Sequence, residues 1–130
     1  MIISEKKNFE RKIFKNLRKK SSSLDLLNVE INVKSYVDSL IKKGININHI
    51  GIYWPLKNEV DIRSLKNKYS IALPRCGKNK ELIFYSWDDK QLTKDSEGIL
   101  SPDNSRRLSY KNISIIFIPC LAVDKNLTRL

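Results

Sequence analysis

The stretch "GIYWPLKNEVDIRSL", residues 51–65, decides how the chain is read. Its first residues end an apolar run, "HIGIYWP", of strand length and closed by Pro55. A helical pattern follows at once in "EVDIRSLKNK", with Glu59 and Asp61 in the first turn, where a helix dipole favours acids. A buried strand that gives way directly to a helix is half of a βαβ unit.

The same pattern recurs outward. "YSIALP" is a second strand closed by Pro74, "ELIFYSW" a third, and "NISIIFIP" a fourth closed by Pro119. Strands are thus expected at 48–53, 69–73, 81–86 and 112–118. Helices are expected at 4–20, 29–43 and 59–67. In the first, Phe9, Ile13 and Leu17 recur every fourth residue behind Ser4 as N-cap. "SSSLD" breaks that pattern, and Val33, Val37, Leu40 and Ile41 form the stripe of the second helix, which Gly44 stops. Residues 88–111 read mostly as loop. Two strands are nearly all apolar, as in a parallel sheet covered on both faces. The expected fold is α/β: three-layer α/β/α around a mainly parallel central sheet, Rossmann-like. Ligands of such sheets bind beyond the carboxyl ends of the strands, which here carry Trp54, Glu59, Arg75 and Asp124.

Composition bounds the rest. A chain of 130 residues with 41% hydrophobic residues can build one domain with a core. The formal charge of +11 suits phosphate-bearing partners, or reflects an enrichment in Lys, Asn and Ile along the whole chain. Cys76 and Cys120 form no CxxC pair and read as reduced structural thiols of a cytoplasmic protein. No run approaches the ~20 apolar residues of a membrane span, and "MIISEKKNFERK" turns charged too early for a signal peptide.

In order and spacing, "IGIYWPLKNEVDIRSL", "IALPR", "LIFYSW", "GILSP" and "ISIIFIPCLAVDKNLTRL" resemble 5-formyltetrahydrofolate cyclo-ligase, also called methenyltetrahydrofolate synthetase. The opening "KKNFERKIFKNLRKK" is similar to that family's K-x-x-x-R segment, so the resemblance covers essentially the whole chain. It implies a fold of the CoA-transferase type and ATP-dependent closure of 5-formyltetrahydrofolate to 5,10-methenyltetrahydrofolate, with ATP and Mg²⁺ required and a monomer as the working unit. It places Trp54 and Glu59 on the folate. A flat pterin suits an aromatic wall, and its amino-pyrimidine edge presents donors to a carboxylate. Taken alone, Trp54 suits core packing better than a ligand wall, and Glu59 suits a helix N-terminus as well as a ligand contact.

The ATP clamp implied by the resemblance falls on the first helix. Spacing of four selects Lys7 and Arg11; matching apolar positions selects Lys6 and puts Glu10 at the arginine position. An acid facing triphosphate is unfavourable, so Lys7 and Arg11 are preferred. Arg75 is a further phosphate or glutamate-tail candidate, and Asp124 reads as structural. No catalytic residue and no metal ligand is assigned.

The chain departs from the family after Arg129-Leu130, where the resemblance calls for a glycine-rich loop, G-x-G-x-G-x-Y-D. The expectation is a single cyclo-ligase domain, 1–130, lacking that loop and the following elements, without measurable turnover and poorly soluble. The competing readings are a folate- or nucleotide-binding remnant and a basic nucleic-acid-binding module. The latter has no RRM, KH or zinc-finger signature, so neither nucleic acid nor membrane is an expected partner.

Overall fold

The computed structural model describes residues 2–88 and 90–130. Two helices come first, α1 (Ile3–Lys19) and α2 (Ser23–Lys42). Seven short strands follow: β1 (His49–Gly51), β2 (Ser70–Cys76), β3 (Leu82–Ser86), β4 (Leu92–Lys94), β5 (Leu100–Pro102), β6 (Arg107–Leu108) and β7 (Ile113–Ile116). The expected segments 48–53, 69–73, 81–86 and 112–118 thus all meet in one sheet, ordered β6-β3-β2-β1-β7.

That sheet is mixed, which corrects the mainly parallel expectation. β1 runs parallel to β2 and to β7, whereas β2–β3 and β3–β6 are antiparallel. The reason is the connection after Cys76. "GKNKE" closes on itself through Gly77 N–H to Glu81 O (2.9 Å), with Lys80 at φ 60. So short a loop returns the chain beside β2 in the opposite direction, because a parallel return needs a crossover of a dozen residues or more.

The helices also differ from expectation. α2 begins six residues earlier than the expected 29, because Ser22 and Asp25 form a capping box: Ser22 Oγ accepts Asp25 N–H (3.1 Å) and Asp25 accepts Ser22 N–H (2.9 Å). "SSSLD" is a helix start rather than a break. α1 starts behind Ile2 rather than Ser4, the Glu5 carboxylate accepting Ile2 N–H at 3.1 Å. The third helix, expected at 59–67, is only a 3-10 turn, Arg63–Asn67. Asp61 accepts both the backbone N–H (3.0 Å) and the guanidinium of Arg63, a local alternative to helix. The 88–111 segment, read mostly as loop, holds β4, β5 and β6.

The core lies between α2 and one sheet face. Val37 of α2 is buried with Ile50, Ile52, Ile62, Leu65, Ile71 and Leu73. Polar contacts seat α2 on the 3-10 turn: Ser64 donates to Glu30, and Lys68 and Tyr69 donate to Asp38. The opposite face is open, so the described residues build a helix layer on one side rather than three layers. There Gly51 leaves room for Phe84, Ile113 and Ile116; a Cβ at Gly51 would stand 3.0 Å from the Phe84 ring. A concavity of about 550 Å³ lies on that face, bordered by Phe84, Leu108, Tyr110 and Ile116.

Arg75 fastens the β4–β5 hairpin to β2. Its guanidinium donates to Thr93 Oγ1 and Ser101 Oγ, both at 3.0 Å, and to the Lys94 carbonyl at 3.3 Å. Asp95 secures the hairpin's other side. Its burial opposes ionisation, but N–H groups of Cys76, Ile99 and Glu97 hold its carboxyl below the usual carboxylate range.

Candidate functional site

β1 is the strand where the parallel part of the sheet divides: β2 follows on one side and β7 lies on the other. The segments leaving the carboxyl ends of β1 and β7 diverge around a crevice, the place where α/β sheets bind ligands. Ile52 N–H still pairs with Ala72 O (3.0 Å), and Phe117 N–H with Gly51 O (2.9 Å). Beyond them the chain is released into the loop 54–60 on one side and into 118–122 on the other.

Glu59 is aimed by its own loop. Asn58 takes a left-handed conformation, φ 67. This turns the chain so that Glu59 N–H reaches Leu56 O (3.1 Å) while Glu59 Oε1 accepts Leu56 N–H (2.7 Å). Its other oxygen stands 3.8 Å from Arg18 Nη1, and the Glu59 side chain is only 12% exposed. Arg18 Nη2 donates to the Cys120 carbonyl at 2.7 Å. The end of α1 is thereby tied to both segments that leave the sheet.

The resulting cleft measures about 360 Å³. Leu26, Val33, Ile62 and Phe117 give it an apolar wall, and Arg18 and Glu59 its polar rim. Tyr53 stands between them and donates to Val60 O at 2.6 Å. Burial, then the nearby Glu59 and Asp61 carboxylates, push its phenol up to about 12, with Arg18 acting in the opposite sense. An apolar slot with one carboxylate at its edge can hold a flat heteroaromatic that carries N–H donors on one side.

The candidate residues do not share one cleft. Trp54 is not among the described residues that line the Glu59 cleft. Its ring meets Trp87 edge-on, centroids 5.9 Å apart, with the Arg63 guanidinium 4.4 Å from its own centroid. Lys7 lines a separate concavity of about 340 Å³ with Glu10, Phe14, Asp124, Thr128 and Arg129. Lys6 and Arg11 are exposed on α1, Arg11 donating to Asn8 (3.3 Å). Arg75 spends its donors on the hairpin, and Asp124 accepts the N–H groups of Asn126 (2.8 Å) and Thr128 (2.9 Å). Two residues at the cleft escaped the sequence reading, Arg18 and Tyr53. Arg18 had a signal: it lies seven residues beyond Arg11, two helical turns along the same face. Tyr53 had none apart from the apolar run that contains it.

This is a mixed α/β fold with a ligand-sized crevice at the division of its parallel strands. Solved structures share it, two of them methenyltetrahydrofolate synthetases. The 5,10-methenyltetrahydrofolate synthetase of Aquifex aeolicus superposes with a TM-score of 0.71 at 24% identity, over 88% of this chain and 60% of that one. The 5,10-methenyltetrahydrofolate synthetase of Mycoplasma pneumoniae gives 0.68 at 19% identity, over 95% and 70%. The chain therefore has the fold of these synthetases, and it spans 60% of the length of the Aquifex protein. No family model matches the chain, and no curated protein matches it by sequence.

Proposed function

We propose that this chain is the folate-holding part of a 5-formyltetrahydrofolate cyclo-ligase, which uses ATP to form 5,10-methenyltetrahydrofolate with release of ADP and phosphate. The observation that carries the reading is the Glu59 crevice, set at the carboxyl ends of β1 and β7 in a fold shared with two methenyltetrahydrofolate synthetases. In this reading the pterin lies against Phe117 and Val33. Its amino-pyrimidine edge donates to Glu59, whose lone pairs exceed what Leu56 N–H takes up. Trp54 packs edge-on against Trp87, and both rings lie on the core cluster that also receives Val33 and Phe117. The phosphates of ATP go to the concavity of Lys7 and Arg129, where Glu10 and Asp124 offset those two charges and the exposed Lys6 and Arg11 of α1 supply the positive excess. Arg75 acts through the hairpin rather than on a ligand.

In the reaction the formyl oxygen attacks the γ-phosphate, and N10 then displaces phosphate from the activated carbon. Positioning and charge neutralisation govern such a step. Among the described residues no group of three or more His, Cys, Asp or Glu could hold a metal ion, and Mg²⁺ carried by the nucleotide's phosphates would need only one or two carboxylates. Folate binding tests the reading. Glu59→Gln keeps the acceptor for Leu56 N–H but removes the charge. It is expected to weaken 5-formyltetrahydrofolate binding by about 1–3 kcal/mol, the scale of a charged hydrogen bond. Unchanged affinity in a titration calorimeter would refute the assignment. Methenyltetrahydrofolate absorbance, followed with ATP and Mg²⁺, reads turnover directly.

A further inference from the structure

A second cleft, of about 400 Å³, lies on the other side of Arg18 and Glu59. Lys12, Lys15 and Lys19 project into it from α1, and Lys57 faces them from the loop after β1. The three helix positions follow one another by three and four residues, so they form a single row about 10 Å long. With Arg18 the cleft gathers five cations against one carboxylate, Glu59, which already accepts Leu56 N–H and faces Arg18. Among the described residues, Lys12, Lys15, Lys19 and Lys57 have no carboxylate within 4.0 Å. Lys34, half-buried, pairs with Glu30 and the exposed Lys68 with Asp38, whereas these four stand together around one concave surface.

Unpaired like charges around a concave surface repel one another and raise the local potential, and a multiply charged anion relieves both. We propose that this cleft is a binding site for a linear polyphosphate group, separate from the Lys7–Arg129 concavity. The size of the cleft fits a small ligand rather than a macromolecular footprint. Lysine suits phosphate as a point charge that needs no fixed geometry. Because Glu59 is the cleft's single acid, it opposes the anion on this side while facing the apolar slot on the other.

The probe is inorganic tripolyphosphate, titrated calorimetrically into the full chain at physiological ionic strength. Replacing Lys12, Lys15, Lys19 and Lys57 by Gln is expected to weaken binding by about tenfold or more. A control replaces Lys43, Lys78, Lys111 and Lys125 by Gln; it makes the same change in net charge and is expected to alter affinity by about twofold at most. All eight residues are exposed, and circular dichroism confirms that both variants fold. Glu59→Gln is expected to tighten tripolyphosphate severalfold, opposite in sign to its effect on the folate, so the two sites fail or succeed separately. Equal losses in both lysine variants, no binding by the parent chain, or tighter binding of a single-stranded oligonucleotide through the same four lysines would each overturn the proposal.

Discussion

Arg18 holds two things with one side chain: the carbonyl of Cys120 and the charge of Glu59. Arg18→Met keeps most of the packing and removes both. It should lower the urea midpoint by the equivalent of about 1–3 kcal/mol, the range for a charged hydrogen bond lost at a part-buried carbonyl. A midpoint unchanged from the parent would show that the end of α1 is not tied to the 118–122 segment in solution. Tyr53 makes a prediction of opposite character. Its phenol ionises near 12 in the folded chain and near 10 when unfolded. The folded state therefore holds the extra proton between those values, and stability falls as pH rises through this window; below pH 10 the contribution is intact. Tyr53→Phe should flatten the stability profile between pH 10 and 12, measured by urea unfolding across that range. A parent profile already flat there would contradict the buried phenol.

Elements were legible where one local signal acted alone. Ile50, Ile71 and Ile115 stand in apolar runs bounded by proline or polar residues, and all three pair across the sheet. Strand direction was set by something else, the five-residue return at 77–81, too short for the crossover that a parallel neighbour needs. The 59–67 helix failed because Asp61 binds its neighbour's N–H, a competition that charge placement at a helix start does not distinguish from dipole stabilisation. Of the candidate site, Glu59 was legible as an acid at a strand end. Arg18 shared a helix face with Arg11 in the sequence, but its partners, 41 and 102 residues away, are brought to it only by the tertiary fold. The hairpin β4–β5 belongs to the same class of long-range effects. It hangs on Arg75, so Arg75→Met should cost about 1–3 kcal/mol by leaving the Thr93 and Ser101 acceptors unpaired. Hydrogen exchange should quicken in 92–102 first. Uniform acceleration over the whole sheet would show that the hairpin is not a separable unit.

For the whole molecule, the uneven covering of the sheet matters most. One face is sealed by α2; the other presents Phe84, Ile113 and Ile116, with Ile116 43% exposed at the edge strand β7. Apolar surface beside a strand edge favours association between chains. The isolated chain should therefore self-associate as concentration rises in sedimentation velocity. Ile116→Lys, which places a charge at that edge, should shift it toward monomer without lowering the urea midpoint appreciably. A parent chain that stays monomeric at high concentration would show that this face does not drive assembly.

The edge-on contact of Trp54 with Trp87 has an optical consequence. These are the chain's two tryptophans, so its ultraviolet emission comes from one neighbourhood rather than from an average over the molecule. That neighbourhood joins the segment leaving β1 to the one leaving β3, with Arg63 and Lys66 stacked on the rings. Fluorescence and near-ultraviolet dichroism thus serve as a built-in gauge of whether those two segments are docked. A ligand that moves the loop after β1 announces itself without any label.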